Sequence, residues 1–192
     1  MTGPSKTPPA PLWYEVVADG TSYHYETLEE AESDKQAFLS KGAAVDADIY
    51  RDSCMPAGYH FVGDPSLVLK DWETEKGSKY PLESGVYLLN EATYFAIYKA
   101  QNGPGSYFDE EGKIYSTKSG YISFLPLYDA DSELDSVIDL DMCEILAEDG
   151  EAYIYDFEEP VDTQIDRQCE GAIDFGGYPF IFTGDECWYE GD

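Results

Sequence analysis

Acid–base or thiol chemistry in this chain must draw on two histidines, His24 and His60, and four cysteines, Cys54, Cys143, Cys169 and Cys187. His24 lies between Tyr23 and Tyr25 in an alternating stretch, which favours a cross-strand structural role. His60, beside Tyr59 in an irregular stretch, reads the same way, with a pocket as the alternative. The cysteines lie far apart without a C-x-x-C pair, the pattern of reduced, mostly buried thiols rather than of a zinc ribbon or a disulfide framework. A Cys–His nucleophile pair needs only closeness in space, and no spacing recommends one. The chain has no G-x-S-x-G, G-x-x-x-x-G-K-[ST], G-x-G-x-x-G after a strand, or H-E-x-x-H. No catalytic residue, cofactor or metal is assigned, and the reading leans away from an enzyme.

Carboxylates are the abundant chemical group. Forty Asp and Glu against 11 Lys and Arg give a net charge of −29. Between Ser119 and Asp192, 21 acids face a single basic residue, Arg167, a net of −20. Asp129, Asp131, Glu133 and Asp135 occupy positions 1, 3, 5 and 7 of a calcium-type loop, but Leu134 and Leu140 stand where an EF-hand needs glycine and a bidentate Glu. In an extended chain, alternate residues point the same way about 6.7 Å apart, so such acids form rows. A row of negative charge matches a protein surface built for a phosphate backbone. The predicted docking set is Asp129, Asp131, Glu133, Asp135, Asp139, Asp141, Glu144, Glu148, Asp149 and Glu151, with Tyr153 and Tyr155 as aromatic anchors.

The elements that must position these groups are mostly strands. Residues 1–11, with four prolines, read as a flexible lead-in. Trp13 to Ala18 and Thr21 to Tyr25 alternate around the turn Asp19-Gly20. Thr27-Leu-Glu-Glu30 is a capping box that opens an amphipathic helix over about 28–41, with Leu28, Ala31, Phe38 and Leu39 on one face and Gly42 as its stop. Ala43 to Tyr50 resumes as a strand. Residues 53–84 are broken by glycine and proline, and from Gly85 the pattern is β again: 86–89, 93–100, 107–108, 113–115 and 121–127. For 132–147 a hairpin, with Ile138, Leu140 and Met142 alternating against Asp139, Asp141 and Cys143, is preferred over a helix because Asp141 interrupts the helical face. A strand over 153–157 and a pair over 172–175 and 180–183 complete the chain.

The expected fold class is α+β, predominantly antiparallel β: a β-β-α-β module over 12–52, then a β-rich acidic domain of hairpins over 53–192, with one continuous domain as the alternative division. No apolar run approaches the roughly 18 residues a membrane span needs, and the first residues lack the apolar core of a secretory signal, so a cytoplasmic location is expected. Nine Lys and two Arg make direct nucleic-acid or anionic-membrane binding unfavourable and point to a basic protein as partner. The functional expectation is an acidic, non-enzymatic inhibitor of a nuclease toxin, a defence protein or another DNA-binding protein, either as a toxin-immunity protein or as a phage-type DNA mimic. One alternative is a small-molecule-binding protein or hydrolase with a site around His60 and the aromatics of 85–128; another is a structural or accessory protein whose acidity serves solubility.

Overall fold

Asp19 and Gly20 both adopt positive φ, 49° and 78°, the geometry of the two-residue turn whose twist matches that of paired strands. It joins β1 (Trp13–Ala18) to β2 (Thr21–Tyr25). The computed structural model describes residues 13–52, 54–73, 77–80, 83–88, 94–127, 136–165, 171–176 and 180–184. The predicted lead-in over 1–11 lies outside them. By its contacts the chain divides into two compact units, Ala10–Cys54 and the part from Met55 onward.

In the smaller unit, α1 (Leu28–Ser40) starts where the sequence places it. The Thr27 side chain accepts from the Glu30 N–H at 3.2 Å, and Gly42, at φ 80°, follows the last turn. Its apolar face is a correction to expectation: Ala31 alone is fully buried, whereas Leu28 and Leu39 remain 44% and 46% exposed. The sheet beneath has three short strands in the order β2-β1-β3, too small a surface to cover a thirteen-residue helix. The strand expected over 43–50 is also displaced. Val45 makes only an isolated bridge to Ala18, and β3 is Tyr50–Asp52, paired with β1.

The larger unit is predominantly antiparallel β. Its first sheet is formed by β5 (Gly58–Gly63), β6 (Gly85–Leu88), β7 (Tyr94–Lys99), β10 (Tyr121–Pro126) and β11 (Tyr153–Phe157), in the order β11-β5-β10-β7-β6. Its second uses β4 (Cys54–Met55), β8 (Gly105–Asp109), β9 (Ile114–Thr117), β12 (Val161–Ile165), β13 (Ala172–Phe175) and β14 (Ile181–Phe182), in the order β4-β12-β13-β14-β8-β9. The sheets meet face to face. Phe124 packs on Phe175 with ring centroids 5.2 Å apart, and the Tyr98 hydroxyl donates to Thr163 Oγ1 at 2.5 Å.

The opposite face of the five-stranded sheet carries Phe61, Phe95, Ile97 and Leu125, all fully buried. Trp72 and Tyr80 lie against it, Trp72 on Tyr121 and Tyr80 on Phe95, together with α2 (Pro65–Val68) and α3 (Leu140–Glu148). Being covered on both faces, β5 reads as a continuous buried run rather than an alternation, and that removes its sequence signal.

The helix α3 replaces the hairpin expected around 138–143. Asp139 is its N-cap, accepting from the Met142 N–H at 3.1 Å, and Asp141 stands exposed in the first turn, where negative charge is favourable. Because the helix begins at Leu140 rather than near Ser132, Asp141 does not interrupt its apolar stripe, which is Cys143 and Leu146. A strand row of Asp139 and Asp141 therefore does not form.

Candidate functional site

Rooted by Cys143 and Leu146, α3 turns Asp141, Glu144, Ile145 and Glu148 outward at helical spacing, and the following turn adds Asp149 and Glu151, all exposed. Ile145 is 48% exposed in the midst of these carboxylates. Among the described residues no Lys, Arg or His comes within 4.0 Å of any of these five acids; the ion pairs present are His24–Glu15, Lys79–Asp71 and Lys113–Glu111. The helix also ends in Glu148 and the C-cap Asp149 without a basic residue in its last turn. Negative charge at the negative end of the helix dipole is unfavourable. The arrangement costs stability and presents charge.

The rest of the predicted docking set is distributed differently. Asp129, Asp131, Glu133 and Asp135 lie outside the described residues. Asp139 is half-buried and occupied as a helix cap. Tyr153 and Tyr155, on the face of β11 turned to the second sheet, are also half-buried. The Tyr153 hydroxyl accepts from the Ile114 N–H at 3.2 Å, and the Tyr155 hydroxyl lies 2.6 Å from that of Tyr115 and 3.4 Å from Lys113 Nζ. The structure thus gathers Asp141, Glu144, Glu148, Asp149 and Glu151, and places the two tyrosines on the other side of the sheet.

That tyrosine cluster is itself a polar core. Asp109, 4% exposed, accepts from the N–H groups of Glu111 and Lys113 and from the Tyr115 hydroxyl at 2.9 Å. Burial, then the bonds to Tyr155 and Asp109, raises the Tyr115 pKa. A second buried carboxylate, Asp64, is 1% exposed and accepts from the N–H and hydroxyl of Ser66, the N–H of Lys118 and the N–H and hydroxyl of Ser119. Sequence reasoning passed over both. Asp64 did carry a signal, since an acid before Pro65 is an N-cap followed by proline at the first helical position.

Of the thiol and imidazole candidates, the described Cys143 and His60 are enclosed. Cys143 is buried, its pKa raised to about 12 by burial and then by Asp139. The side chains of Cys54, Cys169 and Cys187 lie outside the described residues. His60 is fully buried between the sheets, its ring 5.0 Å from that of Phe157, with Nδ1 3.0 Å from Gly58 O and Nε2 without a partner. Its cross-strand neighbours are Tyr155 and Pro126. It borders neither the open cavity of about 450 Å³ at Ser66, Asp71, Trp72 and Lys118 nor that of about 720 Å³ between β2 and α1.

Burial lowers the His60 pKa below 6.5, which sets the sign of its contribution. The unfolded chain takes up a proton near 6.5 and the folded chain does not, so stability falls as pH drops below that point. Replacing His60 with Leu is expected to flatten this part of the profile. Urea midpoints of both proteins at about pH 7.5 and 5.5 test it, with at most about 1.4 kcal/mol per pH unit between them; parallel profiles overturn it.

No family model matches this chain, and no curated protein or solved structure matches it either.

Proposed function

We propose that this chain is an acidic, non-enzymatic inhibitor that docks on a basic protein and covers the surface with which that protein holds nucleic acid or substrate. The observation that carries the reading is the outward face of α3 and its following turn: five exposed carboxylates, without cationic partners among the described residues, around the exposed Ile145. Like charges gathered at a helix C-terminus oppose folding, and a surface serving solubility alone gains nothing from placing them there. Charge brings the partner in quickly, and an apolar contact at its centre slows departure. A nuclease toxin with its cognate immunity protein, and a DNA-processing or defence protein blocked by a DNA mimic, both supply such a partner. The location proposed is the cytoplasm.

The alternative site around His60 gains no support from an imidazole sealed between two sheets and bordering neither described cavity. The test of the inhibitor reading is kinetic. A basic partner captured from the source cells is expected to associate at least about tenfold more slowly at roughly 0.5 M than at roughly 0.05 M ionic strength, because charges at that range are screened. It should also lose its nucleic-acid binding or cleavage when saturated with this chain. An association rate indifferent to salt, or a partner still fully active in the complex, overturns the reading.

A further inference from the structure

We propose that the outer edge of β2, with the acidic flank of α1 beside it, is a docking groove for an extended, lysine- or arginine-bearing peptide segment that adds as a fourth strand to the small sheet. β2 is an edge strand in the order β2-β1-β3. Its register to β1 runs unbroken from Ala18↔Thr21 to Tyr14↔Tyr25. Across a two-residue turn the pair next to the loop is hydrogen-bonded, and bonded pairs then alternate with unbonded ones. Thr21, Tyr23 and Tyr25 therefore bond to β1, while Ser22 and His24 turn their N–H and C=O groups away from it. On the far side of β1 the same alternation is satisfied, Val17 O accepting from the Asp46 N–H at 3.0 Å. Among the described residues nothing pairs with the outward groups of Ser22 and His24.

Edge strands are ordinarily protected by Lys, Pro or a bulge. Thr21-Ser-Tyr-His-Tyr25 has none of these, and its first four residues are exposed. Beside it an open cavity of about 720 Å³ is lined by His24, Tyr25, Glu26, Glu30 and Asp34 among others. The cavity is therefore a trough between a strand edge and a helix flank, not a surface cluster of acids alone. Strand addition supplies backbone hydrogen bonds, and side-chain chemistry selects the occupant. Here that chemistry is anionic. Alternate residues of an added strand lie about 6.7 Å apart, and helical residues four apart, such as Glu30 and Asp34, about 6 Å apart along the axis. Lysines at every second position of the peptide meet carboxylates at nearly the same interval.

The groove belongs to the smaller unit and does not depend on the α3 face, so one can fail without the other. The probe is the blocked peptide Thr-Lys-Val-Lys-Val-Lys-Thr, titrated into the isotope-labelled full chain while amide signals are followed. Saturable binding is expected, with the largest shifts and slowed hydrogen exchange at Ser22 and His24. Ser22→Pro, which removes an outward N–H that the fold does not use, should weaken binding at least about tenfold. The same peptide N-methylated at alternate residues should not bind the unaltered chain, which keeps the test valid should Ser22→Pro unfold. A peptide with Glu for Lys should not bind either. Shifts centred on α3, equal binding of the N-methylated or Glu peptide, or no saturable binding at millimolar concentration overturns the groove.

Discussion

Asp64→Ala is expected to lower the unfolding free energy by about 3–5 kcal/mol, a large share of what holds a domain of this size together. Asp64 stands between β5 and α2, 1% exposed, and its two oxygens accept five donors from Ser66, Lys118 and Ser119, the closest being the Lys118 N–H at 2.6 Å. Hydrogen bonds to a charged acceptor contribute about 1.5–3 kcal/mol each, and removing the acceptor takes one from each of the Ser66, Lys118 and Ser119 N–H groups. Relieving one negative charge in a chain of net −29 works the other way, but through long-range repulsion worth a few tenths of a kcal/mol at physiological salt. The hydrogen bonds win. Ser119→Ala, which removes one of the five donors together with the oxygen that accepts from the Tyr121 N–H at 3.2 Å, should cost less, about 1–2 kcal/mol. Urea unfolding with an unchanged slope is the measurement; a loss for Asp64→Ala below about 1 kcal/mol would show that the carboxylate is dispensable.

The second large effect concerns the partner rather than the fold. Replacing Asp141, Glu144, Glu148, Asp149 and Glu151 together by Asn or Gln is expected to slow association with the basic partner by about 10- to 100-fold at low salt, while dissociation changes far less. The side chains are exposed and without ion pairs among the described residues, so no native contact is lost. Relief of the charges at the helix C-terminus, worth about 0.3–1 kcal/mol, is offset by loss of the favourable Asp141 charge from the first turn, so the variant should be about as stable as the parent. Asp139 is left intact because it caps α3; Asp139→Ala should cost about 1 kcal/mol in stability and little in association rate. An association rate unchanged by the five substitutions would remove α3 from the docking surface.

How much of this was legible beforehand depended on how local each signal was. The hairpin at Asp19-Gly20 and the start of α1 at Thr27 were readable because turn and cap chemistry act within four residues. The β8–β9 hairpin around Asp109 to Gly112 and the late pair β13–β14 were readable for the same reason. The helix α3 was misread because its apolar stripe is short and its start depends on one cap. The strand β5, central to the first sheet, left no alternation to find. The burial of Tyr153 and Tyr155 was also beyond reach, since it requires the second sheet to be in place.

By itself, the amino-acid order determined the antiparallel β character, the turns and caps, and the concentration of negative charge toward the C-terminal end, all properties of composition and of neighbours along the chain. Only the tertiary structure decided which acids share a face, which are caps or buried acceptors, and that His60 is enclosed. Those outcomes follow from which sheet faces meet and which stay in water, and that is settled by contacts between residues far apart in sequence.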